Sequence, residues 1–152
     1  MRILLVLVMA LGLWAAEDSG LPPTLDAVRQ RLQATLDEFV SGHEAEALDK
    51  IINSEWYITA NKAKDLELFV RYLGENGEIH KIYGSPASVR YIGTSYLTDQ
   101  DATVAYGVVY ENGLLPVVFG FFKSPTGYKL NLIKFGQAAA MELSPFVKVE
   151  GN

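Results

Sequence analysis

The sequence predicts an α+β domain in which N-terminal helices pack on a curved antiparallel sheet. Three observations carry that prediction. Apolar residues recur at helical spacing through the first part of the chain. From Glu78 onward the pattern changes to period two. Within Ala102–Phe135, three apolar runs are separated by two turn signals, Asn112-Gly113 and Ser124-Pro125-Thr126-Gly127. Helices first and a strand block last place the helices on one face of the sheet.

Met1 to Ala16 reads as a secretory signal peptide. Arg2 supplies the positive end, Ile3 to Trp14 is continuously apolar, and Ala15-Ala16 offers small residues for cleavage. Trp14, three positions before that cut, departs from the usual small residue there. An uncleaved anchor is the competing reading, but the run is short against the about 20 apolar residues a bilayer span needs. The expected address is periplasmic or secreted, with no stable membrane anchor after cleavage. Residues 17–23 form a linker, 24–136 the domain and 137–152 a C-terminal tail of unclear period, with a helical turn at most.

Thr24 caps a helix whose apolar stripe is Leu25, Val28, Leu32, Leu36, Phe39 and Val40. Gly42 ends it. His43 to Ser54 is a second, shorter helix with Ala45, Leu48, Ile51 and Ile52 on one side. Glu55 to Thr59 is a β-prone run. Asn61 caps a third helix with Leu66, Phe69, Val70 and Leu73 on one face, and Gly74 sits at its C-terminal cap. Glu78 to Tyr83 reads as a strand, Gly84-Ser85-Pro86 as a break, and Ala87 to Leu97 as a longer strand. The polar turn Thr98 to Asp101 leads into the three-stranded meander.

Asn-Gly between apolar runs is a strong hairpin signal, because both residues tolerate positive φ. A two-residue loop there pairs Glu111 with Leu114 and Tyr106 with Phe119. A Pro-Thr centre in the second turn pairs Ser124 with Gly127 and Phe119 with Leu132. Alternation then puts Val104, Tyr106, Val108, Val117, Phe119, Phe121, Leu130 and Leu132 on an inner face. Ala105, Gly107, Val118, Gly120, Phe122 and Ile133 fall on the outer face. Gly107 and Gly120, inside strands, mark bulges, bends or close backbone approach.

Composition bounds the chemistry. The chain has 152 residues and no cysteine, which excludes disulfides, thiolate metal sites and a cysteine nucleophile. Formal net charge is −5, and the 13 Lys and Arg are scattered, so nucleic acid is not an expected partner. His43 opens a helix, and His80 stands next to Lys81 in the expected strand. Neither has a second histidine or a carboxylate at metal-ligand spacing. No phosphate loop or nucleophile elbow is present. The sequence therefore yields no catalytic residue, no metal and no cofactor.

The segments Ile92-Gly93-Thr94-Ser95, Val109-Tyr110-Glu111-Asn112-Gly113, Phe121-Phe122-Lys123 and Gly127-Tyr128-Lys129-Leu130, set after this order of helices, resemble small exported bacterial proteins of the nuclear transport factor 2-like superfamily. The resemblance covers about Thr24 to Phe135 and is one of fold, which by itself fixes no activity. It implies a cone in which a curved sheet wraps a long helix, with a pocket at the open end.

Trp56, Tyr91, Tyr106, Phe119, Phe121, Leu130 and Leu132 are then the candidate lining for a small apolar ligand. The same residues are equally a core filled by Leu32, Leu36, Phe39, Phe69 and Leu73. Sheets of this superfamily often dimerise through the outer face, which makes Tyr96, Val118, Phe122 and Ile133 a candidate homodimer surface. The expected function is a non-catalytic binding or interaction domain. The alternative is a ketosteroid-isomerase-like or dehydratase-like enzyme with Tyr106 in the pocket. Ketosteroid isomerases pair a carboxylate base with an oxyanion hole, and no acid or base accompanies Tyr106 on the inner face. Asp99, Asp101 and Glu111 fall at turns.

Overall fold

The computed structural model describes residues 20–146, so the expected signal peptide and the start of the linker lie outside the described residues. Three helices, α1 (Leu25–Val40), α2 (Glu44–Ile52) and α3 (Lys62–Leu73), lead into a short α4 (Glu78–Tyr83). Four strands follow: β1 (Pro86–Tyr96), β2 (Asp101–Tyr110), β3 (Gly113–Ser124) and β4 (Gly127–Phe135). They form one curved antiparallel sheet in sequence order, with the helices on one face. A last short helix α5 (Gln137–Ala140) runs into a 3-10 turn, Met141–Phe146.

The expected caps form. Thr24 Oγ1 accepts from the Ala27 amide at 3.1 Å, and Asn61 Oδ1 from the Lys64 amide at 3.0 Å. Each satisfies one of the amides a helix start leaves unpaired. Behind the caps, Val28, Leu32, Leu36 and Phe39 of α1 bury against Val104, Tyr106, Val108, Val117 and Phe119 of the sheet. The segment read as linker is docked where it is described. Leu21 is buried, Pro22 O accepts from the Tyr128 amide at 2.8 Å, and Gly20 O accepts from Arg31 at 2.6 Å.

Two elements differ from expectation. Glu78–Tyr83 is a helix, not a strand. Ile79 and Tyr83, four residues apart, both turn to the core, and Gly84 stops the helix at φ 79°. Six residues are too few for periodicity to separate the two readings. Glu55 to Thr59 forms no strand. Its backbone makes one parallel bridge from Tyr57 to Leu130, with Ile58 N donating to Leu130 O and Leu130 N donating to Trp56 O.

The registers differ as well. Tyr110, not Glu111, closes the first hairpin opposite Gly113, so Tyr106 faces Val117 rather than Phe119. A two-residue shift leaves every side chain on its expected face. Neither Asn112 nor Gly113 takes positive φ. The turn is bound instead by the α4–β1 loop: Asn112 N donates to Tyr83 O at 2.9 Å and Glu111 N to Ser85 O at 3.1 Å.

In the second hairpin Ser124 pairs with Gly127 as expected, but a bulge at Gly120/Phe121 leaves Asn131 unpaired. Beyond it Phe119 faces Ile133, and Leu132 lies beside Gly120. The extra residue exchanges the two side chains: Ile133 joins the helix-side core and Leu132 moves to the outer face, 38% exposed. In β1 a register shift between Tyr91 and Gly93 does the same, pairing Tyr96 with Ala102 on the helix side.

The outer face is partly covered by the C-terminal segment. Ala105 and Val118 bury against Ala139, with Leu143 and Phe146 beside them. A Cβ at Gly93 would stand 2.8 Å from the Phe146 ring, so the glycine admits that ring. Lys134 reaches Glu142 as an ion pair. Of the four residues expected on an open outer face, Tyr96 and Ile133 lie on the helix side and Val118 is covered. Phe122 alone remains there, half-buried.

Candidate functional site

The inner aromatic residues come together as a packed layer. Trp56 packs on Phe121 with ring centroids 5.7 Å apart and a tilt of 31°, and the Arg31 guanidinium lies over the Trp56 ring, 5.3 Å from its centroid. Tyr106 meets Phe119 edge-on at 6.3 Å and Tyr91 at 5.6 Å. Leu130 is wholly buried in the same core. The Tyr106 hydroxyl donates to Arg29 O at 3.1 Å. Burial pushes its pKa above the usual phenol range. Its proton has a backbone partner, which makes it a satisfied core tyrosine.

Tyr91 stands at the rim, 41% exposed, with Arg29 5.2 Å over its ring and its hydroxyl bonded to Thr94. It lines a shallow surface groove with Arg29, Gln33 and Asp37. Leu132 is on the opposite side of the sheet from the rest of the expected lining.

The cavity inside the helix–sheet core is bounded by Leu36, Phe39, Ile52, Phe69, Tyr110 and Phe119, among others. It leaves about 30 Å³ for a water-sized sphere. A drug-sized ligand pocket occupies about 300–1,000 Å³. Of the seven expected lining residues, only Phe119 borders this space.

A different cluster joins acid, imidazole and phenol, and sequence reasoning missed it. Glu44, in the first turn of α2, is 6% exposed, and its Oε1 lies 3.2 Å from His80 Nε2 on α4. The His80 ring meets Tyr110 edge-on at 6.2 Å, and Tyr83 packs on Tyr110 at 6.1 Å. Tyr110 is 3% exposed. Its hydroxyl is the buried side-chain polar atom that finds no hydrogen-bond partner among the described residues. Burial first, and then the Glu44 charge, raise its pKa beyond the usual range.

Glu44 stands at the N-terminus of α2 with His80 beside it. The pair can hold an imidazole in one orientation, as a carboxylate does for a catalytic histidine. Among the described residues there is no group of three or more His, Asp or Glu able to hold a metal ion. Nor, among them, is any helix long and apolar enough to cross a membrane. The partners of the pair are 36 residues apart, and His80 faces Glu44 only because Glu78–Tyr83 is helical. The spacing of Ile79 and Tyr83 was the one signal for that.

No protein-family model matches this sequence, and a search of the curated proteins returns no match.

Proposed function

We propose that the chain is an exported, non-catalytic interaction domain built on a nuclear transport factor 2-like cone, periplasmic or secreted after removal of residues 1–16. The observation that carries this reading is the filled concave face. With about 30 Å³ left in the core, a small apolar ligand enters only if helices leave the sheet. Tyr106, on which an isomerase- or dehydratase-like reaction would depend, bonds to a backbone carbonyl. General acid–base chemistry needs a proton carrier within hydrogen-bond reach of the substrate's position. That space is occupied by core side chains.

Recognition then falls on the outside. Leu114 and Leu132 are exposed on the outer sheet face next to half-buried Phe122, and Tyr96 and Leu97 stand out at the β1–β2 tip. These residues support contact with a second copy or another exported protein. The test is native mass spectrometry of protein recovered from the export compartment of cells producing the full chain. The expected species is free of apolar small molecules and carries a protein partner or a second copy. A stoichiometric apolar ligand, or retention of the chain in the cytoplasm, would overturn the reading.

A further inference from the structure

Leu97 is the most exposed large apolar side chain among the described residues, at 85%, and Tyr96 beside it is 65% exposed. Both stand at the turn from β1 to β2, and that turn is held in place. Leu97 N donates to Asp101 O at 3.1 Å, and Thr98 Oγ1 accepts from the amides of Gln100 and Asp101 at 3.0 and 3.1 Å. Lys123 N donates to Gln100 O at 2.7 Å, which sets the turn beside the end of β3. The two side chains are thus displayed on a bonded tip, and a partner need not pay to order it.

The course of the chain says what meets this tip. The β3–β4 turn lies at the same end of the sheet. A Cβ at Gly127 there would stand 2.9 Å from Leu21 Cβ, and Tyr128 N donates to Pro22 O at 2.8 Å. The described chain therefore enters, at Gly20, on the end that displays Tyr96 and Leu97. Trp14, the last residue of the apolar run from Ile3, precedes Gly20 by six residues, a span of at most about 20 Å. Whenever that run enters a bilayer, during export or as a retained anchor, this end of the sheet is held at the membrane surface. β1 and β4 are three strand spacings apart, about 15 Å, so the tip reaches the same surface. Charge agrees with an uncharged contact: around the two turns Lys123 stands against Asp99 and Asp101, and Asp101 accepts from the Thr98 hydroxyl at 3.0 Å.

We propose that the β1–β2 tip is a reversible lipid-bilayer contact, with Leu97 below the headgroups and Tyr96 at their level, where tyrosine rings settle. The inference goes beyond the protein-contact reading and does not depend on it. It assigns Tyr96 and Leu97 to lipid and leaves Leu114 and Leu132 to a protein partner.

The experiment uses protein recovered from the export compartment of cells producing the full chain, its N-terminus identified by mass. The sequence has no cysteine, so Leu97→Cys and Ile82→Cys each take a single polarity-sensitive fluorophore. Ile82 is the control, 64% exposed on α4 at the opposite end, where Tyr83 O accepts from the β2–β3 turn. With vesicles of phosphatidylethanolamine and phosphatidylglycerol, three to one, the label at 97 should shift to the blue and the label at 82 should not. With residues 1–16 removed, half the protein should bind at roughly 1–10 mM lipid, weaker than a single myristoyl chain because two side chains bury less apolar surface. In that chain Leu97→Asp should lower binding at least about tenfold, and a position so exposed leaves the fold intact. Exchanging phosphatidylglycerol for phosphatidylcholine, or adding about 0.5 M NaCl, should change binding less than about twofold. If residues 1–16 are retained, the comparison of the two labels carries the test. The proposal is overturned by no shift at 97, by equal shifts at 97 and 82, by unchanged binding of Leu97→Asp in the cleaved chain, or by binding that salt abolishes. A shift at 97 that follows protein concentration and not lipid would mean a second copy, and overturns it as well.

Discussion

Tyr106 and Tyr110 lie on one strand, four residues apart, on the same face, and both are almost wholly buried. They differ in one respect. The Tyr106 hydroxyl donates to Arg29 O, and the Tyr110 hydroxyl finds no partner among the described residues. Removing each hydroxyl should therefore move stability in opposite directions. For Tyr106→Phe the chain loses a made hydrogen bond and leaves a carbonyl less satisfied, a cost of about 1 kcal/mol. For Tyr110→Phe it loses an unpaired buried donor, a gain of about 1 kcal/mol.

For a domain of this size those changes correspond to Tm shifts of roughly 3–5 °C, downward for the first and upward for the second. Trp56, in contact with Phe121 and Arg31, reports the core by fluorescence, so urea unfolding gives both values. The slope of the unfolding curve should stay constant while the midpoint moves. A Tyr110→Phe protein destabilised as much as Tyr106→Phe would refute the reasoning. It would mean that the Tyr110 hydroxyl has a partner in solution strong enough to repay its desolvation.

Three other outcomes follow from the same contacts. Gly113→Ala places a Cβ 2.6 Å from the Tyr83 ring; overpacking of this kind costs about 1–3 kcal/mol, and the Asn112 amide, which donates to Tyr83 O, should exchange faster with solvent. Deleting residues 137–152 uncovers Val118 and Ala105; size-exclusion chromatography should then show more self-association than for the full chain. At alkaline pH the buried tyrosines destabilise the fold. Tyr57, held by burial and by its bond to Asp65, is pushed up to about 12 from 10, so its contribution is complete below pH 10 and is lost as pH rises toward 12. The slope should reach up to about 1.4 kcal/mol per pH unit for each such tyrosine, and Tyr57→Phe should show a shallower decline in urea midpoints between pH 9 and about 11.

The helices with strong stripes and caps were legible, as were all four strands of the sheet and the second turn. Their signals are local: Thr24 and Asn61 bond amides three residues away, and Ser124 faces Gly127. The first turn was legible as a turn and misleading as a register. Asn112 and Gly113 have the composition of a positive-φ hairpin, yet tertiary bonds to Tyr83 and Ser85 fix the turn one residue earlier. The bulges were the larger loss. An extra residue at Asn131 has no compositional mark except Gly120 across from it, and it sends Leu132 outward and Ile133 inward. The shift near Ile92 moves Tyr96 in the same way. Each proposed surface lost members through a single inserted residue, since alternation carries one error to every residue beyond it.

Both faces of this sheet are used by the chain itself, the concave one by α1–α3 and part of the convex one by the C-terminal segment. The edges are no freer. β1 carries register shifts at two places, and bulges break the ladder another chain would need for strand addition. β4 is met by the Tyr57 segment at Leu130. What remains is the strip of convex face at Leu114 and Leu132 and the two ends. At one, Tyr96 and Leu97 are 65% and 85% exposed, apolar area that a lone surface position gains nothing by displaying. At the other, α4 has no fully buried residue and is tied down by an ion-pair contact, two aromatic contacts and a backbone bond to the turn. Beneath it is the one hydroxyl in the described core that its own fold does not satisfy. Natural chains break local rules mainly at functional sites, and by that criterion the α4 end, more than the aromatic face between helices and sheet, is where binding of a soluble partner should first be sought.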